Sequence, residues 1–169
     1  MVSKEDLRYL QGLSIFAGLR SEIVDSLGEH TTRVDVEADA VLYRQGEPAK
    51  EMLVVLSGRL EVIKRGSDGR EACIAQLGPG DVAGEMSLID IQPRSADVRA
   101  VEPTSVAVLT HADIATIYRE DKQSYTLLVL NIAREISLRL RRLDDLLARI
   151  IFDIGQATHT SSGRGEPPS

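Results

Sequence analysis

Residues Gly80 to Ala100 read Gly-Asp-Val-Ala-Gly-Glu-Met-Ser-Leu-Ile-Asp-Ile-Gln-Pro-Arg-Ser-Ala-Asp-Val-Arg-Ala. The helix formers that follow Gly84 can make about one turn before Pro93 stops them, because proline cannot continue a helix. Residues 97–101 then alternate between polar and apolar side chains, as a half-buried strand does. The stretch therefore predicts a short helix that begins beside a glycine, followed by a strand.

The polar residues of this stretch are suited to binding an anion next to a sugar. Gly84 has no Cβ, so a ligand can approach the free N–H groups at the start of the short helix. Arg94 offers a planar fork for a phosphate, and Ser95 and the N–H of Ala96 add donors. Glu85 would repel an anion, and its expected partners are ribose hydroxyls, as in dinucleotide sites. Together they predict a nucleotide pocket for one compact anionic group.

The same ordered set resembles the phosphate-binding cassette of cyclic nucleotide-binding domains, and most of all the sensor domain of the bacterial catabolite activator protein family. The resemblance covers roughly Leu13 to Ile150 and is strongest from Gly58 to Val101. It implies an α+β fold: an antiparallel β-roll, which is a jelly-roll-like double-stranded β-helix, with N-terminal helices and a long C-terminal helix.

The resemblance also implies roles for individual side chains. Gly84 and Glu85 would hold the ribose 2′-hydroxyl, and Arg94 and Ser95 would hold the cyclic phosphate. Ala83 departs from the family, which usually has a larger apolar residue there. The candidate binding residues are Gly84, Glu85, Met86, Arg94, Ser95, Ala96, Val62, Ile74, Ala83, Leu143 and Asp144.

In the resembled family the base lies between apolar strand residues and the long helix. An ungapped alignment places Val62 and Ile74 on the apolar wall and Leu143 and Asp144 on the helix. A carboxylate such as Asp144 can accept hydrogen bonds from the N1–H and 2-amino groups of guanine. However, Ser95 argues against a preference for cyclic GMP, because members of the family with that preference often have a threonine at this position. We expect cyclic AMP (cAMP) as the ligand, with cyclic GMP (cGMP) as the alternative.

Composition excludes several other classes of protein. The chain has 169 residues, the length of one domain, and a net charge of −6, which argues against nucleic-acid binding. Its first residues lack the apolar core of a signal peptide, and no apolar run reaches the ~18 residues of a membrane span. We therefore expect a cytoplasmic protein that does not contact membranes. The single cysteine, Cys73, is predicted to be a small core residue of a strand.

The chain divides into four segments. We assign residues 1–30 to N-terminal helices, 31–110 to the β-roll, 111–154 to C-terminal helices, and 155–169 to a polar tail predicted to be disordered. Within the β-roll segment, glycines recur eleven or twelve residues apart, which is typical of short strands in a roll. Because aromatic residues make up only 4% of the chain, aliphatic side chains must fill the core.

A long helix is predicted from Gln123 or Ser124 to about Ile150. Its heptad seam consists of Thr126, Val129, Ala133, Ile136, Leu140, Leu143, Leu147 and Ile150. A second apolar side, predicted to rest on the β-roll and the nucleotide, contains Leu127, Leu130, Leu138 and Leu146. Family likeness favours a parallel homodimer through this helix, and a monomer whose helix closes over the ligand as a lid is the alternative.

Three other functions are alternatives to a nucleotide sensor. A cupin-like metalloenzyme shares the β-roll but needs clustered ligands, and His30, His111 and His159 lie in different segments. We therefore expect no enzyme activity. The second is an interaction domain that no longer binds nucleotide, and the third is a fragment of a DNA-binding regulator. The resembled transcription factors continue into a helix-turn-helix domain, which this sequence lacks, so a signal would leave through the C-terminal helix to an unknown protein partner.

Overall fold

A computed structural model of the protein describes residues 1–89 and 92–161, and side chains as far as residue 153. Its strands form two four-stranded antiparallel sheets with the orders β1-β8-β3-β6 and β2-β7-β4-β5. The strands are β1 (Thr32–Val36), β2 (Val41–Tyr43), β3 (Glu51–Ser57), β4 (Leu60–Arg65), β5 (Glu71–Leu77), β6 (Val82–Ala83), β7 (Asp97–Ala100) and β8 (Thr104–Thr110).

Helices precede and follow the strands. They are α1 (Lys4–Gln11), α2 (Ser21–His30), α3 (His111–Glu120) and α4 (Lys122–Ser161), with short 3₁₀ helices at Ser14–Phe16 and Glu85–Leu88. Capping boxes begin α1 at Ser3 and α3 at Thr110. In each, the cap side chain accepts from the backbone N–H of an aspartate three residues later, and the side chain of that aspartate accepts from the backbone N–H of the cap residue. This arrangement confirms the predicted α+β fold with N-terminal helices and a long C-terminal helix.

The core between the sheets is aliphatic, as the composition predicts. One cluster draws residues from both sheets and contains Tyr43, Leu53, Val55, Leu60, Leu77, Ala83, Val98, Ala100 and Val106. Tyr43 is its only aromatic member.

Strand β5 lies at the edge of its sheet, and this position corrects the prediction for Cys73. An edge strand has a neighbour on one side only, and most of β5 is exposed, including Cys73. Val62 pairs with Ala75 and Ile63 pairs with Cys73, so Ile74 is the extra residue of a β-bulge. Ile74 is 47% exposed, whereas Val62 packs against the core cluster.

The first turns of α4 pack through a face that differs from the predicted one. Ser124, Leu128 and Ile132 are buried there, whereas Leu130 is 56% exposed. Asn131 is also buried, and its amide donates to the carbonyl oxygens of residues 15 and 17 at 3.1 and 2.9 Å. Of the predicted side, Leu127 is half-buried near Gly18 and Leu130 is exposed, so the prediction is right for the first residue and wrong for the second.

The chain separates into two units, Met1–Ile132 and a second that begins at Ala133. In the second unit α4 continues beyond residue 154 as far as Ser161, so the first residues of the predicted disordered tail are helical instead. Gly155 costs a helix only about 1 kcal/mol relative to alanine, and Gln156 and Ala157 favour helix. The rest of the predicted tail, 162–169, lies outside the described residues. None of the described helices is long and apolar enough to cross a membrane.

Candidate cyclic nucleotide site

A glycine corner lies at the end of β6. Gly84 has φ +79° and ψ 10°, the left-handed conformation that glycine adopts without strain, and it caps the short helix Glu85–Leu88. A Cβ on Gly84 would lie 2.3 Å from Nη1 of Arg94 and 3.0 Å from the carbonyl oxygen of Glu51. This position therefore requires glycine for two reasons: its left-handed backbone, and the lack of space for a Cβ.

The guanidinium of Arg94 is enclosed against this corner. Arg94 is only 8% exposed, and its Cζ lies 3.4 Å from the centroid of the Tyr43 ring. Its Nη2 donates to the carbonyl oxygen of Glu51 at 2.7 Å. Its Nη1 is buried and has no hydrogen-bond partner among the described residues. A buried charged donor without an acceptor is costly, and an anion bound here would provide one.

The Glu51 carbonyl oxygen joins the parts of this corner. It accepts from Arg94 and, at 3.3 and 3.5 Å, from the hydroxyls of Tyr43 and Ser87. Glu51 begins β3, which pairs with β6 immediately before Gly84. The sheet therefore sets the separation between the glycine corner and the arginine.

Backbone contacts fix the loop that carries Arg94. Its N–H donates to the carbonyl of Glu47, and its carbonyl accepts from the N–H of Gly46, both at 2.8 Å. Asp97, which is 4% exposed, accepts from the backbone N–H of Gln45 at 2.6 Å and pairs with Arg65 at 2.5 Å. The segment that carries Arg94 is therefore held by hydrogen bonds at Arg94 itself and at Asp97.

Carboxylate and hydroxyl groups lie within the short helix. Glu85 is 3% exposed, so this carboxylate is enclosed within the protein. The Ser87 hydroxyl donates to the Gly84 carbonyl oxygen at 2.7 Å, which stabilises the turn. Burial raises the pKa of the neighbouring Tyr43 hydroxyl, so this group stays protonated and can donate.

The other predicted site residues differ in burial. Ala83 and Ala96 are buried, whereas Met86 and Ser95 are exposed. The Ser95 carbonyl oxygen accepts a hydrogen bond from Lys64 Nζ, which ties this loop to β4. The fold thus gathers Gly84, Glu85 and Arg94 in one place.

Leu143 and Asp144 lie on α4 in the second unit. Both are exposed, Leu143 by 44%. Their assignment to the base stays a prediction, as does the assignment of Val62 and Ile74.

Sequence reasoning missed three contributors to the site: the Tyr43 ring, the Glu51 carbonyl and Lys64. No local pattern connects Tyr43 with Arg94, which is 51 positions later. A backbone carbonyl has no sequence signature at all. Such contacts depend on strand pairing, which the sequence alone did not specify.

The arrangement can bind an anion, and nothing in it points to metal chemistry. Among the described residues no group of histidine, cysteine, aspartate and glutamate side chains could hold a metal ion. The donors present are a guanidinium, backbone N–H groups and hydroxyls. These donors suit a phosphate. A neighbouring group with hydroxyls could donate to the carboxylate.

Comparison with protein families identifies this arrangement. Residues 33–121 match the model for the cyclic nucleotide-binding domain. The chain belongs to the cyclic nucleotide-binding domain family. The matched region contains both sheets and the glycine corner with Arg94, so the resemblance seen in the sequence is confirmed.

The chain is similar to two proteins that are named for cyclic AMP. The chain is 34% identical over 145 residues to the cyclic AMP receptor protein of Thermus thermophilus, covering 85% of this chain and 65% of that protein. It is 28% identical over 138 residues to a CRP-like cAMP-activated global transcriptional regulator of Mycobacterium tuberculosis, covering 82% and 60%. The chain thus spans less than two thirds of the length of these relatives.

A solved structure has the same fold. The cyclic nucleotide-binding domain from Methylobacillus flagellatus superposes with a TM-score of 0.76 at 27% identity, covering 86% of this chain and 83% of that one.

Proposed function

We propose that this protein is a cyclic nucleotide sensor whose ligand is cAMP and whose output is a change at its C-terminal helix rather than catalysis. The observation that carries the proposal is the buried Nη1 of Arg94, which lacks an acceptor among the described residues and lies against a glycine whose missing Cβ makes room for it. A cyclic phosphate has one negative charge and two free oxygens, so it can accept from this nitrogen without the bulk of a polyphosphate.

The ligand's other parts have candidate partners. Ser95 and the Ala96 N–H are assigned to the phosphate, and Glu85 to the ribose 2′-hydroxyl, which can donate to a carboxylate. Val62 and Ile74 are assigned to the base, since both are apolar and lie on neighbouring strands. The exposed Ile74 is a side chain that the aromatic face of a base could cover.

The preference for cAMP is supported by the names of the relatives, a cyclic AMP receptor protein and a cAMP-activated regulator. Asp144 is the feature that favours the alternative, cGMP, because its carboxylate can accept from guanine. Asp144 is exposed on α4, however, as is expected of an aspartate that faces solvent and contacts no ligand.

Isothermal titration of the purified protein with cAMP, cGMP and adenosine tests the proposal. We expect both cyclic nucleotides to bind, cAMP more tightly, and adenosine to bind far more weakly because it has no phosphate. Absence of binding to either cyclic nucleotide would overturn the proposal in favour of an interaction domain that works without nucleotide.

The heptad seam of α4 supports a parallel homodimer. Leu140, Leu143, Leu147 and Ile150 are 44–57% exposed, an apolar face that a second copy could cover. With Leu140 and Leu147 at heptad position a, Arg139 falls at g and Asp144 at the following e. In a parallel in-register pair these positions meet across the interface, so opposite charges face each other.

The paired charges give a direct test of the dimer. Sedimentation of Arg139→Asp should show a weaker dimer than the parent, because two acidic groups then face each other. Adding Asp144→Arg to that variant should restore the dimer. A parent that sediments as a monomer at every concentration would leave the lid-helix alternative. We assign the protein to the cytoplasm, with an unidentified protein as the receiver of the signal.

A further inference from the structure

Tyr43 is the residue in closest stacking contact with Arg94, and no role has been assigned to it. The ring centroid lies 3.4 Å from the guanidinium carbon, so the two planes are in contact. Tyr43 is 5% exposed, and its hydroxyl donates to the Glu51 carbonyl oxygen that also accepts from Arg94. Ring and guanidinium are thus held by one shared acceptor.

The contact determines which arginine atoms remain for a ligand. One face of the guanidinium is covered by the ring, and Nη2 is used by Glu51. Nη1 remains, and it lies so near Gly84 that a Cβ on that residue would clash with it. An arginine side chain has several rotatable bonds, and fixing them before binding removes an entropic cost from the binding step.

We infer that Tyr43 is a positioning residue for the anion site: its ring fixes the Arg94 guanidinium by a cation–π contact and so directs Nη1 at the ligand's phosphate. This inference rests on the proposed function for its ligand, but the contact itself can be tested without one. A desolvated cation–π contact corresponds to about tenfold to thirtyfold in an equilibrium constant.

Fluorination of the ring separates cation–π attraction from packing. Replacing Tyr43 by phenylalanine carrying none, one, two or three fluorines keeps the ring's shape while it weakens the negative potential of the ring face. We expect cAMP affinity to fall stepwise along this series, by about tenfold in total, with little change in adenosine affinity. Tyr43→Phe without fluorine should stay within a few-fold of the parent, and Tyr9→Phe on α1 is the matched control.

Arginine side-chain NMR provides a reading that needs no nucleotide. Arg94 protons over an aromatic face should resonate upfield, and Arg94→Lys identifies the signal. We expect the shift in the parent and Tyr43→Phe and its loss in Tyr43→Leu, provided that thermal melting shows that variant to be folded.

The possible outcomes separate the two hypotheses. If the parent binds neither cyclic nucleotide while the upfield shift is present, the proposed function is wrong and the Tyr43–Arg94 contact stands. If cAMP binds and neither its affinity nor the arginine signal responds to the fluorinated series, the positioning role is wrong and the proposed function stands. An upfield signal that fails to move in Tyr43→Leu also overturns the inference.

Discussion

Replacing Gly84 by alanine tests the geometry of the site with a single methyl group. The residue has φ +79°, which costs a non-glycine residue about 1–2 kcal/mol. The new Cβ would also lie 2.3 Å from Nη1 of Arg94 and 3.0 Å from both a Tyr43 ring carbon and the Glu51 carbonyl oxygen. Two of these neighbours are enclosed backbone or ring atoms, so Arg94 is the group that must move.

The expected consequence is a large loss of binding with a modest loss of stability. Displacing Arg94 breaks a buried charged contact, for which about 2–5 kcal/mol is typical, so cAMP affinity should fall at least about thirtyfold. Strain at the left-handed position should lower the free energy of unfolding by about 1–2 kcal/mol. Titration calorimetry measures the first quantity and urea unfolding the second.

Gly69 is a matched control for this substitution. It has φ +80° at a hairpin, and a Cβ there would meet nothing within 4 Å. Gly69→Ala should therefore show a similar loss of stability and normal cAMP affinity. The reasoning is refuted if Gly84→Ala binds cAMP like the parent, or if the two variants lose affinity equally.

Three further predictions concern other groups. Glu85→Gln should weaken cAMP binding, and 2′-deoxy-cAMP should bind poorly to the parent; equal titration curves for the two nucleotides would leave Glu85 without its ribose role. Asp144→Ala should preserve the preference for cAMP over cGMP in competitive titration, whereas a parent that prefers cGMP and loses that preference in the variant would reverse the choice of base. Burial opposes ionisation of Asp6, but hydrogen bonds from Ser3 and Arg33 outweigh it and lower the pKa of Asp6. Because the folded pKa is the lower one, this carboxylate stabilises the fold above its unfolded pKa of about 3.9, and the stabilisation is lost as pH falls through the folded pKa. Asp6→Asn should thus be less stable than the parent in urea at pH 7 and should approach it near pH 2; a constant difference at both pH values would contradict the assignment.

The sequence was most informative where chemistry and local conformation coincide. Gly84, Glu85 and Arg94 combine a left-handed corner, a helix start and a proline stop, and the structure brings them together. The aliphatic core follows directly from the low content of aromatic residues. Such features need only residue type and spacing.

Features that depend on tertiary pairing were missed or misplaced. Cys73 alternates like a core residue, but the position of β5 at the sheet edge leaves it exposed. Leu130 fits an apolar stripe, but the buried face of α4 includes Asn131, whose polar group bonds to the backbone after α1. Tyr43 reaches Arg94 only because β2 and β7 pair. A single sequence contains no direct record of such pairings.

The most direct test of the central claim is the cAMP affinity of Arg94→Ala against that of Arg70→Ala. Both variants remove one guanidinium, but Arg94 is 8% exposed beside Gly84, whereas the Arg70 side chain is 89% exposed on a hairpin. If the guanidinium binds the phosphate, Arg94→Ala loses at least about thirtyfold in affinity, the effect of removing one partner of a buried charged contact. Arg70→Ala should bind like the parent. A folded Arg94→Ala variant that binds cAMP as tightly as the parent would contradict the account.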